Sequence, residues 1–98
     1  MAVAEVSVVP VGTGTASISD YVAKAFKIVR ESGLKYELSS MSTNLEGDVP
    51  KIMEVVRKIH DSVFEQGAAR VLTSLKIDDR RDKPLTMDGK RAAVMSKI

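Results

Sequence analysis

Lys35-Tyr36-Glu37-Leu38-Ser39-Ser40-Met41-Ser42-Thr43-Asn44-Leu45-Glu46-Gly47 is the stretch on which the fold turns. Leu34, Tyr36 and Leu38 alternate with Lys35, Glu37 and Ser39, the two-residue period of a half-buried strand. A second extended piece, Thr43 to Gly47, follows after only a few residues. Strands so close in sequence can pair only as an antiparallel hairpin.

Working outward, each side of the hairpin carries a helix and then a strand. Upstream, Ile18, Val22, Ala25, Phe26 and Val29 recur at helical spacing and predict a helix from about Ile18 to Ser32, closed by Gly33. Ser17 with Asp20 three residues later resembles a capping box, with Asp in place of Glu. Downstream, Asp48-Val49-Pro50 reads as an N-cap and first turn. Ile52, Val55, Val56, Ile59 and Val63 form that helix's apolar stripe, and Gly67 stops it. Outermost lie two strands, the valine-rich Val3–Val9 bounded by Pro10 and Gly12, and Ala69–Ile77. A short terminal helix, about Asp88 to Lys97, is expected to use Val94 and Ile98 as its apolar contacts. The order strand, helix, strand, strand, helix, strand predicts one α+β domain over residues 1–98. It is a ferredoxin-like β-α-β-β-α-β sandwich, whose four-stranded antiparallel sheet carries both helices on one face.

Alternation gives that sheet two distinct sides. Ala4, Val6 and Val8 of the first strand read as core, and Val3, Glu5, Ser7 and Val9 as the opposite side. Left bare, the second side would show solvent Val3, Val9 and Leu72, an apolar patch of the kind that marks an interaction surface. Self-association, face to face or edge to edge, is therefore expected. The length of 98 residues agrees, because so short a chain buries a modest fraction of its surface and gains from added contacts.

Composition narrows the chemistry. A hydrophobic fraction of 44% with 29% charged residues is that of a globular protein. With no cysteine there is no disulfide, thiolate nucleophile or thiolate-bound metal. A net charge of +2 gives little excess for holding phosphate backbones, so no nucleic-acid partner is indicated. Glu5 interrupts the N-terminal apolar run and no stretch approaches the ~20 apolar residues of a membrane span; a cytoplasmic location is the expectation.

Catalytic constellations are sparse. His60 is the one histidine and sits at the border of a buried stripe, where a structural role outweighs a catalytic one. Gly12-Thr13-Gly14-Thr15 lacks the spacing and lysine of a phosphate-binding loop and reads as a flexible turn, although Thr13, Thr15 and Ser17 could line a pocket. Glu46 and Glu5 fall on the same bare side of neighbouring strands. Two accounts of them stand level: a cation or donor sits between the carboxylates, or each pairs with a base such as Lys76 or meets water. Asp78-Asp79-Arg80-Arg81-Asp82-Lys83 reads first as a self-neutralising loop, with an anion site or subunit contact at Lys76, Arg80 and Arg81 as the alternative. An acylphosphatase-like hydrolase shares this topology but needs an arginine in the first strand-to-helix loop, and residues 11–17 contain none.

Several segments carry a family resemblance: Pro10 with Gly12-Thr13 and Ser17, Tyr21-Val22, Gly33-Leu34-Lys35-Tyr36-Glu37, Met41-Ser42-Thr43 with Leu45-Glu46-Gly47, and Lys76-Ile77-Asp78-Asp79-Arg80-Arg81. In this order and at this length the chain resembles the small thiamine-binding-protein family. The resemblance implies a homo-oligomer, commonly a tetramer, that binds thiamine or its hydroxymethylpyrimidine part without catalysis. No cofactor and no metal are expected, and ligand sites are expected near subunit interfaces. On that footing Ser17, Tyr36, Met41, Thr43 and Glu46 are the candidate ligand residues. Glu46 would meet the cation or exocyclic amine, Thr43 and Ser17 the ring nitrogens, and Met41 and Tyr36 the ring faces. The rival reading is a ligand-free structural or regulatory oligomeric module.

Overall fold

A computed structural model describes all residues from Met1 to Ile98. In chain order it contains β1 (Ala2–Pro10), α1 (Ser19–Glu31), β2 (Lys35–Leu38), β3 (Thr43–Gly47), α2 (Val49–Glu65), β4 (Val71–Asp79) and α3 (Met87–Met95). The strands form one antiparallel sheet in the order β2-β3-β1-β4, the ferredoxin-like arrangement.

Register fixes what each side presents. Ala4 stands between Leu45 of β3 and Ile77 of β4, and Tyr36 of β2 stands opposite Leu45. This row faces the helices. Ala2, Ala4, Val6 and Leu45 pack there against Ala25 and Val29 of α1 and Ile52, Val55, Val56 and Ile59 of α2, all buried. The 3.6-residue stripes of the two helices therefore meet the two-residue stripe of the sheet, as the sequence predicts. The α1–β2 connection is tight: Gly33 takes φ +83, and the Ser32 hydroxyl donates to the Val29 carbonyl while accepting from the Leu34 N–H. A residue with a Cβ would be strained at Gly33.

The other side is built in rows across the sheet. Lys35, Glu46, Val3 and Asp78 form the first, and Glu37, Asn44, Glu5 and Lys76 the second. Nearer the other end come Ser7 with Ser74, then Val9 with Leu72.

Four local expectations change. This side is only partly bare, because α3 lies over its first two rows. At the C-terminal end, Val94 of α3 and Ile98 beyond it are 62% and 88% exposed instead of serving as anchors; Met87, at 4%, is the buried residue of the helix. The anchor lies at the helix's N-terminal end, where Thr86 caps it by accepting from Gly89 N–H. The Ser17–Asp20 capping box does not form: Ile18 occupies the cap position without a side-chain hydrogen bond, and Ser17 N–H donates to Thr15 Oγ1. Finally, β4 continues to Asp79, so Asp78 and Asp79 belong to the strand and only the remainder of the charged run is loop. No helix is long and apolar enough to cross a membrane.

Candidate functional site

A cavity of about 280 Å³ lies between α1 and the sheet at the Val6–Val9 end of β1. Ile18, Val22, Ala25 and Phe26 of α1 form one wall, and Val6 and Val8 of β1 the floor. The hairpin turn closes the side, bringing Ser39, Ser40, Met41, Ser42 and Thr43 to the rim. Each element reaches it for a local reason. The small side chain of Ala25 leaves room where α1 would otherwise fill the space over Val6. The turn is pinned by a Ser39 N–H bond to the Ser42 carbonyl, with the Ser39 and Ser42 hydroxyls meeting Asn44 and Glu5 on the outward side of the sheet.

Chemically the cavity is an apolar chamber with a hydroxyl-rich rim. None of its lining side chains carries a charge at neutral pH. A carboxylate comes close through one of them: Ser42 Oγ donates to Glu5 Oε2 at 3.2 Å. Met41, 86% exposed, and Leu38 stand at the mouth. No group of three His, Cys, Asp or Glu side chains is arranged to hold a metal.

The five residues singled out in the sequence are not brought together. Met41 and Thr43 line the cavity. Tyr36 acts through a neighbour, its ring meeting Phe26 edge-on at 5.3 Å and so fixing a ring that lines the wall. Ser17 is exposed beside Ile18, and it is Ile18 that enters the lining. Glu46 lies on the other side of the sheet. The residue is 8% exposed, and its Oε1 accepts the backbone N–H of Met87 at 2.8 Å, holding the first turn of α3. Glu46 and Glu5 share no donor between them: Glu46 is met by a helix N-terminus, favourable for a negative charge, and Glu5 accepts from Ser42 Oγ.

Lys76 stands across from Glu5 in register. Arg80 makes a two-point pair with Asp82, at 2.5 and 2.9 Å, and Arg81 pairs with Asp79 at 3.1 Å, so the charged run neutralises itself. Asp79 is level with Ala2, at the opposite end of β1 from the cavity. His60 Nδ1 lies 2.7 Å from Thr73 Oγ1 and its ring packs on Phe64, a structural placement. Sequence reasoning passed over the α1 wall and the serines of the turn. The run Ser39-Ser40-Met41-Ser42-Thr43 was the available signal.

Comparison with known proteins places this architecture. Residues 4–95 match the family model described as thiamine-binding protein. The chain belongs to the thiamine-binding protein family. Among its relatives in the family, UPF0045 protein YqgV of Bacillus subtilis is 42% identical over 98 residues, covering 96% of this chain and 94% of the relative. A solved structure of a hypothetical protein from Methanocaldococcus jannaschii superposes with a TM-score of 0.90 at 41% identity, covering 96% of this chain and 95% of that one. A Thermotoga maritima protein, named for thiamine biosynthesis or salvage, superposes with a TM-score of 0.78 at 26% identity, over 95% and 97% of the two chains.

Proposed function

We propose that the protein binds thiamine or its hydroxymethylpyrimidine part, non-catalytically, with the pyrimidine ring in the cavity under α1. The observation that carries this reading is the chamber itself: about 280 Å³, walled by Val6, Val22, Ala25 and Phe26, with Thr43 and the serines at its rim. That size lies at the small end of ligand pockets, suited to a ring or two and too small for a nucleotide cofactor. A neutral aminopyrimidine offers a flat apolar face to Phe26 and donor and acceptor edges to hydroxyls, which both donate and accept. The thiazolium carries a permanent charge, and burying it against uncharged walls would be costly. It therefore stays at the mouth, beside the polarisable Met41. With no charged side chain in its lining, the chamber suits holding a ligand better than transforming it.

The mouth also supports assembly. Val9, Leu38 and Met41 are exposed apolar residues around one opening, and a second copy laid there would complete its wall. The homo-oligomer, with ligand near the subunit boundary, follows as part of the same reading.

Calorimetry with thiamine, hydroxymethylpyrimidine and the isolated thiazole alcohol tests it. The pyrimidine should retain most of the affinity of thiamine, and Thr43→Val should weaken both about tenfold, ~1.4 kcal/mol. A thiazole half that binds as well as thiamine would refute the orientation. No thermal shift with any of the three would leave the structural-module reading in its place.

A further inference from the structure

We propose that α3 is a detachable strap, held on the outward side of the sheet by ionic tethers and released by salt while the rest of the fold stays intact. The inference is independent of what the cavity binds, because α3 and the cavity lie on opposite sides of β2 and β3.

The tethers are polar almost throughout. Lys35 Nζ of β2 meets Asp88 Oδ2 at 2.7 Å, Arg91 Nη1 meets Glu37 Oε2 at 2.6 Å, and Lys90 Nζ meets Asp78 Oδ2 of β4 at 2.5 Å. The fourth is the Met87 N–H bond to Glu46. Each of the three ion pairs has side chains 40–66% exposed, so screening by dissolved ions reaches them. Apolar anchoring rests on Met87, while Val94, Met95 and Ile98 face solvent. A nine-residue helix has little stability of its own in water and depends on what it docks against. The docking side of the sheet presents Glu37, Glu46, Asp78 and Glu5 against Lys35 and Lys76. Arg91 and Lys90 supply the missing positive charge.

By contrast α2 is held by Ile52, Val55, Val56, Ile59 and Val63, all buried. Salt weakens charge pairs and leaves apolar burial intact or strengthens it. The two helices should therefore respond to ionic strength in opposite senses, α3 opening as a separate low-stability unit. Opening would uncover Glu37, Glu46 and Asp78, turning a neutralised surface into an acidic one.

Amide hydrogen exchange on the full chain tests the proposal. Between about 0.05 and 0.5 M sodium chloride, where the screening length falls from beyond 10 Å to under 5 Å, α3 protection should drop about tenfold. Protection in α2 should stay level or rise. A K90M/R91M double variant should show low α3 protection already at low salt, a smaller salt response carried by the remaining Lys35–Asp88 pair, and unchanged α2 protection. Salt-independent α3 protection in the native chain, or loss of α3 and α2 protection together, would overturn the strap. Should the double variant fold poorly, Glu46→Gln, which keeps an acceptor for Met87 N–H but removes its charge, should lower α3 protection severalfold with α2 unaffected; equal protection would count against the proposal.

Discussion

Replacing Ala25 by leucine should make the protein more stable and less able to bind ligand, and the opposite signs make the test informative. Ala25 is buried on α1 and lines the cavity together with Ile18 and Val22, its neighbours toward the helix N-terminus. Side chains on a helix lean toward that end, so a longer one at position 25 grows over Val22 and into the chamber. Three added carbons, each roughly 30 Å³, would fill about a third of the space. At about 0.8 kcal/mol per buried methylene the gain is at most about 2.4 kcal/mol. Ordering a leucine side chain removes about 0.5–1 kcal/mol of it. The net is about 1–2 kcal/mol, a rise in Tm of roughly 5–15 °C for a domain of this size. Pyrimidine affinity should fall about a hundredfold, ~2.7 kcal/mol. Differential scanning calorimetry gives the first quantity and titration calorimetry the second. Destabilisation by about 1–3 kcal/mol, the signature of overpacking, would show that the space is not open to residue 25. Stabilisation with unchanged thiamine affinity would show that the ligand sits elsewhere.

Two further outcomes follow from single contacts. A Cβ added at Gly47 would lie 2.6 Å from Leu34 Cδ2, so Gly47→Ala should cost about 1–3 kcal/mol in chemical denaturation, and a Leu34→Ala background should recover part of that loss. Lys35, hydrogen-bonded to Asp88 and adding its charge, holds the Asp88 carboxyl below the ordinary carboxylate value. A depressed acid stabilises above its unfolded pKa and loses that contribution as pH falls through the folded one. α3 should accordingly be better protected in the native chain than in Asp88→Asn above about pH 4, the two converging in stronger acid; a gap that persists there in hydrogen exchange would contradict the assignment.

The element order and the sidedness of the strands were legible because both depend on periodicity, which any single segment displays. Ala4, Val6 and Leu45 face the helices, and Glu5 and Glu46 face away, as alternation requires. The same rule already separates Thr43 from Glu46: positions three apart on a strand lie on opposite sides. The family resemblance groups them in one site, and strand geometry places them in two. The cavity was not legible, since it arises where Ala25, Val6 and the serine-rich turn meet from three distant segments. Nor was the seat of α3. Its apolar residues suggested anchors at Val94 and Ile98, whereas long-range charge pairs and the N-terminal cap decide how it lies, and no local pattern encodes those.

The β2–β3 hairpin serves two surfaces at once, and this explains why its register is fixed. Tyr36, Leu38, Thr43 and Leu45 look toward the helices, while Lys35, Glu37, Asn44 and Glu46 look toward α3. A slip of β3 by one residue would exchange the two sets. Glu46 would then enter the core without the Met87 N–H, and breaking such a buried partnership costs several kcal/mol. Leu45, fully buried in the native register, would be turned out under a helix whose contacts are ionic. Both losses fall on the same displacement, so α3 helps hold in register the strand that carries Thr43 to the cavity on its other side.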